Sequence, residues 1–327
     1  MKKILGIGNA LVDELMLITS TAVLNELHLP IGGMTLISDD AYDSLNAVRK
    51  EFPPQRATGG SAGNAIKAAA ELGARCVFMG RVGEDETGRF YLGELKRTGI
   101  EDRLIHAQGR SGVASTFITP DGERTFATYL GVASELRAGD IPANAFQDAD
   151  IVHVEGYLVQ NHALLSRIIE VARAGNARVS LDMASFNVVK ENRDFLHDIV
   201  RDGVDILFAN EEESKAFSRE DDPEAALRHM AALCPIAIQK RGAQGSVAVS
   251  ATERVSVPGM KVKVVDTTGA GDYYAGGFLW SLVRGGTLKQ CCQVGSILSA
   301  NIIQHLGATL DAQTWDEIKL KVKEIMG

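Results

Sequence analysis

Short runs rich in Val and Ile, each followed by a longer stretch of helical periodicity, constrain this chain more than any other feature of its 327 residues. KILGIGNALV (3–12), CVFMGRVG (76–83), IVHVEGYLV (151–159), ARVSLDM (177–183), VDILFAN (204–210) and the run from Ile236 to Gly242 are short and β-branched. Their near-continuous apolarity is that of strands covered on both faces. Between them lie amphipathic stretches such as GNAIKAAAELG, HALLSRIIEVARAG and NEEESKAF. This alternation predicts an α/β fold with a central, mostly parallel sheet flanked by helices on both faces. In such folds the loops after the carboxyl ends of the strands form one edge, and ligands bind there.

Two segments depart from the pattern and predict a separate small sheet. One runs from about residue 14 to 38 and contains ELMLITS and GGMTLIS. The other, GVASTFITPDGERTFATYLG (112–131), reads as a hairpin around the turn residues Pro120, Asp121 and Gly122. Inserted into a single α/β domain spanning 1–327, these segments are expected to form a lid over the ligand edge. A dimer contact is an equally physical use, so monomer and lid-mediated homodimer both stand.

The bulk properties narrow the partners. A formal net charge of −8 gives no electrostatic reason to expect nucleic acid or an anionic membrane surface. The opening MKKILGIGNALVDELMLI imitates a signal segment, but Gly6, Gly8, Asn9, Asp13 and Glu14 interrupt it. No run approaches the roughly 18 apolar residues a membrane span needs, and a cytoplasmic address is expected. Cys76, Cys234, Cys291 and Cys292 lack metal-ligand or CxxC spacing and are read as reduced, buried thiols.

Residues 264–283, VVDTTGAGDYYAGGFLWSLV, read as a strand-like run that ends in a glycine-rich turn and opens a helix. Gly269, Ala270 and Gly271 would place backbone N–H groups at the helix's positive end, a geometry that stabilises a phosphoryl group. Asp272 falls in the first turn, where the dipole favours its ionised form, and could accept a proton from an attacking hydroxyl. An isolated GAGD would more often be a plain helix cap. A second glycine-rich helix start, TGGSAGNAIKAAAELG (58–73), changes that balance: Gly59, Gly60 and Asn64 could hold sugar hydroxyls.

GGSAGNA with the following GRVGEDETG, and DTTGAGDYYAGGF in the carboxy-terminal half, resemble the two signatures of the PfkB, or ribokinase, family of carbohydrate kinases, most closely its adenosine kinases. The resemblance covers essentially the whole chain. It implies a ribokinase-like fold and ATP-dependent transfer of phosphate to a hydroxymethyl group, with Asp272 as general base and Gly269, Ala270 and Gly271 as anion hole. It implies that Asp13 grips ring hydroxyls, with Asn9, Gly59, Gly60 and Asn64 completing the sugar contacts. Asn210 and Glu213 match an element that organises magnesium and phosphate through water, while Lys240, Gly242 and Gly245 match the turn lining the nucleotide-phosphate channel. The stretch from Ser296 to Gly307 would flank adenine and, with Asp266 and Thr268, border a loop that binds potassium in many members.

An adenosine-like nucleoside is the expected acceptor, with Tyr157 beside the base or, equally, in the core. A free sugar such as ribose or fructose would need further polar contacts from the lid, for which Arg124 and Tyr129 are the candidates. A dinucleotide-dependent oxidoreductase is disfavoured because GIGNAL lacks the third glycine of GxGxxG, and no GxxxxGK[ST] Walker loop occurs. A non-catalytic binder of nucleosides or sugars would be expected to have lost Asp272, the anion-hole glycines or Asn210 and Glu213, and all are present.

Overall fold

A computed structural model of the chain describes residues 2–327. Its strands, in chain order, are β1 Lys3–Ile7, β2 Leu11–Leu17, β3 Met34–Leu36, β4 Gln55–Gly59, β5 Arg75–Gly83, β6 Glu101–Ala107, β7 Gly112–Ile118, β8 Arg124–Tyr129, β9 Ile151–Glu155, β10 Arg178–Asp182, β11 Ile206–Asn210, β12 Ile236–Lys240, β13 Ser246–Ser250 and β14 Arg254–Val257. Nine form one sheet in the order β14-β13-β12-β11-β10-β9-β1-β5-β6. Pairing from β6 across to β12 is parallel, and only the β12–β13 and β13–β14 pairings are antiparallel. This is the α/β architecture that the run-and-helix alternation predicts.

Alternate side chains of each central strand feed two separate cores. Ile4, Phe78, Phe208 and Ile238 pack on one face with Tyr273 and Phe278 of the helix Ala270–Val283. Leu5, Ile7, Val152, Val154 and Leu207 pack on the other with Leu165 and Ile168 of the helix His162–Ala174. Both faces are therefore covered, which is why these strands read as unbroken apolar runs. The four cysteines are buried and unpaired, and burial pushes the Cys76 thiol up to about 12, well clear of reactivity at neutral pH.

The remaining five strands form a second sheet, β3-β8-β7-β2-β4, over its own core of Met16, Ile18, Leu24, Leu29, Leu45 and Phe117. The hairpin at 112–131 is present as β7 and β8. The other boundaries need correction. KILGIGNALV is not one strand: it breaks at Gly8–Ala10, where Gly8 packs against Glu155 and Ala62 so closely that no side chain fits, and the chain crosses from the first sheet into the second. The small sheet thus begins at Leu11 and also recruits β4, an edge strand whose polar QRATG carries no apolar alternation to announce it. Val264 to Asp266 are not a strand either. Val264 and Val265 are more than two-fifths exposed and their backbone joins no ladder; the last strand ends at Val257.

Candidate active site

The order of the large sheet reverses beside β1: the chain passes from β1 out to β5 and β6, then returns on its other side to β9. Asn9, just after β1, and Glu155, the last residue of β9, meet there, Asn9 Nδ2 donating to Glu155 Oε1 at 2.7 Å. A cavity of about 1210 Å³ opens at this switch point, bounded by the carboxyl ends of the strands, the second sheet and the first turn of the helix Ala270–Val283.

At its centre lies Asp272. Gly269 caps the helix in the left-handed conformation, φ 74°, which the absence of a side chain permits. Ala270 and Gly271 then line the cavity, although Ala270 N already donates to Thr267 O at 3.2 Å. Two donors from the other glycine-rich helix, Ser61–Glu71, fix the carboxylate: Ser61 Oγ to Oδ1 at 2.7 Å and Asn64 Nδ2 to Oδ2 at 3.0 Å. Gly60 makes this helix start possible, with φ 81° and the carbonyl of Asn9 occupying the space a side chain would need. The dipole argument is corrected in one respect: burial outweighs it, raising Asp272 to about 6 even though the Asn64 and Ser61 hydrogen bonds favour the anion.

Asp13, on β2, points toward the same space. Gly59 is pressed against its carboxylate from the neighbouring strand β4. Burial, and then repulsion by Asp272, push Asp13 up to about 7. Glu155 is also raised to about 7 by burial, against hydrogen bonds from Asn9 and from the amide of Ala62 at 3.3 Å. Three carboxylates thus share a desolvated floor. Asn64 Oδ1 is buried without a hydrogen-bond partner beside them.

Beside Gly271 lies a buried ion pair. Lys240 Nζ binds both oxygens of Asp182, at 2.9 and 2.8 Å, and lies so near Gly271 that a side-chain carbon there would stand 3.0 Å away. Burial alone would lower Lys240, but Asp182 and Glu213 more than reverse it and keep the ammonium charged. Asn210 and Glu213 form a reciprocal capping box: Glu213 N donates to Asn210 Oδ1, and Asn210 N to Glu213 Oε2, each at 2.8 Å. The acidic helix start and the predicted site are the same structure. Gly242, Gly245, Ser296 and Thr268 also line the cavity, as does the exposed loop of Met260 and Val264.

Asn9, Asp13, Gly60, Asn64, Tyr157, Asn210, Glu213, Lys240, Gly242, Gly245, Ser296, Thr268, Ala270, Gly271 and Asp272 therefore surround one space. Gly59 and Gly269 support it from behind. Asp266 is buried, its oxygens held by the amides of Thr268 and Gly307 at 2.7 Å each. Arg124 and Tyr129, the candidate lid donors for a free sugar, do not line the cavity. Arg124 pairs with Asp266 at 2.9 Å, and Tyr129 Oη donates to Asp39 Oδ1 at 2.6 Å. Sequence reasoning also passed over Ser61, Glu155 and Asp182. The latter two are acidic residues at the carboxyl ends of apolar runs, a signal that could have found them. Among the described residues no group of three His, Cys, Asp or Glu side chains could cage a metal, and no helix is long and apolar enough to cross a membrane.

Comparison with known proteins places the whole chain among known relatives. Residues 32–315 match the family model described as pfkB family carbohydrate kinase. The structure of an adenosine kinase from Sinorhizobium meliloti superposes with a TM-score of 0.87 at 29% identity, covering 98% of this chain and 99% of that one. A probable sugar kinase from Rhizobium etli CFN 42 gives the same TM-score and identity, with 98% of each chain covered. An adenosine kinase of Schizophyllum commune is 27% identical over 93% of this chain and 96% of its own length. The chain belongs to the PfkB family of carbohydrate kinases, enzymes that phosphorylate a hydroxyl group on a small molecule.

Proposed function

We propose that this kinase transfers the γ-phosphoryl group of ATP to the primary hydroxyl of a nucleoside, adenosine-like in shape. The observation that carries the reading is Asp272, held by Ser61 and Asn64 in the first helical turn with Lys240 beside Gly271. Asp272 accepts the hydroxyl proton as the acceptor oxygen bonds to phosphorus. The bond from phosphorus to the bridging oxygen breaks, and its electron pair leaves with ADP. The amide of Gly271 and the Lys240 ammonium face the charge on the transferring group. An acidity near 6 suits a base that must be ionised at neutral pH yet still take up a proton.

Magnesium, arriving with ATP, would supply charge neutralisation on the phosphates. The residues present fit an ion that keeps waters and phosphate oxygens as ligands, with Glu213 and Asp182 as outer carboxylates.

Two features favour a nucleoside over a free sugar. Apart from Asp13 and Thr128, the wall contributed by the second sheet and the residue after β8 is apolar, with Leu11, Met34, Leu36 and Leu130, and Met34 and Leu36 are exposed by more than half. A flat base would cover that surface. The lid donors a free sugar would need, Arg124 and Tyr129, are engaged elsewhere. Among the described residues the basic ones lining the cavity are Lys240 and Lys261, next to the anion hole and in the Gly259–Val264 loop, so the acceptor is uncharged. A coupled ADP-release assay with ATP and magnesium across adenosine, inosine, cytidine, ribose and fructose tests this. Turnover confined to the free sugars overturns the nucleoside assignment.

A further inference from the structure

The family resemblance leads to the expectation of a potassium ion beside Asp266 and Thr268, and the side chains there do not fit one. Such an ion must collect several carbonyl and carboxylate oxygens in place of its water. Two oxygens of this segment that could serve are Asp266 Oδ1 and the carbonyl of Val265. A single guanidinium takes both: Arg124 Nη1 lies 2.9 Å from Asp266 Oδ1, and Nη2 donates to Val265 O at 2.7 Å. Thr268 offers its amide to the same Oδ1, and the amide of Gly307 takes Oδ2. Asp266 is 1% exposed, so its charge requires a partner, and arginine is a cation that neither dissociates nor deprotonates.

Arg124 comes from β8 of the second sheet, whereas Asp266 precedes the anion hole by only three residues, Gly269 being the helix cap. We propose that Arg124 is a built-in substitute for the monovalent cation: it neutralises Asp266, holds the Val265–Gly269 turn in shape, and makes phosphotransfer by this chain independent of potassium. Arg124 is a positioning residue, acting on the anion hole through Asp266. The same contact fastens the hairpin β7–β8 to the turn. The inference rests on phosphotransfer at this anion hole but not on which acceptor is used.

The test compares wild type, Arg124→Gln and Arg124→Lys in potassium chloride and in choline chloride at equal ionic strength, by thermal melting of the ligand-free protein and by turnover of ATP with adenosine. The expected result for wild type is a melting temperature that agrees between the two salts to about 1 °C, because no site couples potassium to folding, and turnover within about twofold. Arg124→Gln should lose at least about tenfold in turnover in choline and recover part of it in potassium, with a potassium-dependent rise in melting temperature. Arg124→Lys should keep the indifference to potassium. Wild-type activation by potassium beyond about fivefold, or a melting temperature raised by potassium alone, overturns the proposal. So does an Arg124→Gln protein with wild-type turnover in choline. If Arg124→Gln does not fold, the wild-type comparison still decides. Melting needs no acceptor, so an error in the acceptor leaves that readout intact.

Discussion

Asn64 Nδ2 donates to Asp272 Oδ2 at 3.0 Å across 208 positions of sequence, joining the two glycine-rich helix starts. Ser61 closes the pair from the same helix at 2.7 Å. Asp272 is thereby oriented by side chains from a helix distant in sequence, and its availability as a base depends on how those donors balance burial.

Replacing Asp272 with Asn removes the proton acceptor and the charge while preserving both hydrogen-bond positions in outline. Turnover should fall by roughly 10²–10⁴-fold with the acceptor KM little changed. Steady-state kinetics on the purified variant checks this; turnover comparable to wild type would remove Asp272 from the mechanism.

The pH profile follows from the direction of its shift. Asp272 is raised to about 6, and only the deprotonated carboxylate can act as base, so kcat/KM should climb through about pH 6 and level off above it. Burial raises the value and the Ser61 and Asn64 hydrogen bonds oppose that rise. Ser61→Ala should therefore move the acidic limb upward by roughly one to two units, the weight of one bond to a charged group. A limb that stays in place shows that Ser61 does not govern the base.

Asp13 links function to stability with the opposite sign from an ordinary ion-paired carboxylate. Its folded-state value is raised to about 7 from 3.8, so the folded protein holds the proton more tightly than the unfolded chain. The stability gained from protonation is full below pH 3.8 and is lost as pH rises through 7. Asp13→Asn removes the charged state altogether and should stabilise the ligand-free protein by up to about 4 kcal/mol at pH 7.5. The same change should raise the acceptor KM. Denaturant titration at pH 5 and pH 7.5 checks the sign: the gain must shrink at the lower pH.

Lys240 is charged and buried against Asp182, and truncating it would strand that carboxylate. Lys240→Met should cost about 3–5 kcal/mol of stability, and turnover should fall with it. The double change Asp182→Asn with Lys240→Met should recover part of the stability without recovering turnover. Thermal unfolding alongside the kinetic assay separates the two effects, and a double variant as active as wild type would argue against a role for the ammonium at the phosphoryl group.

Local sequence determined the large sheet, because strands covered on both faces must be apolar throughout and β1, β5, β9, β10, β11 and β12 all advertise that in Val, Ile and Leu. It also determined the two glycine-rich helix starts, since a backbone at φ 81° or 74° admits few residues but glycine. Asp272 and Asn64 lie within those motifs, whereas Asn210 and Lys240, at strand ends, were expected from the family resemblance alone. Strand β4 was not, because an edge strand need not be apolar, and Val264 to Asp266 misled because apolar residues can line a cavity mouth as readily as a core. What only the tertiary structure decided were relations between distant segments. Ser61 and Asn64 flank Asp272, Glu155 holds Asn9, and Arg124 reaches Asp266 rather than a substrate. Hydrogen bonds and ion pairs between residues tens to hundreds of positions apart depend on the packing of whole sheets and helices, and leave no periodic trace in the chain that makes them.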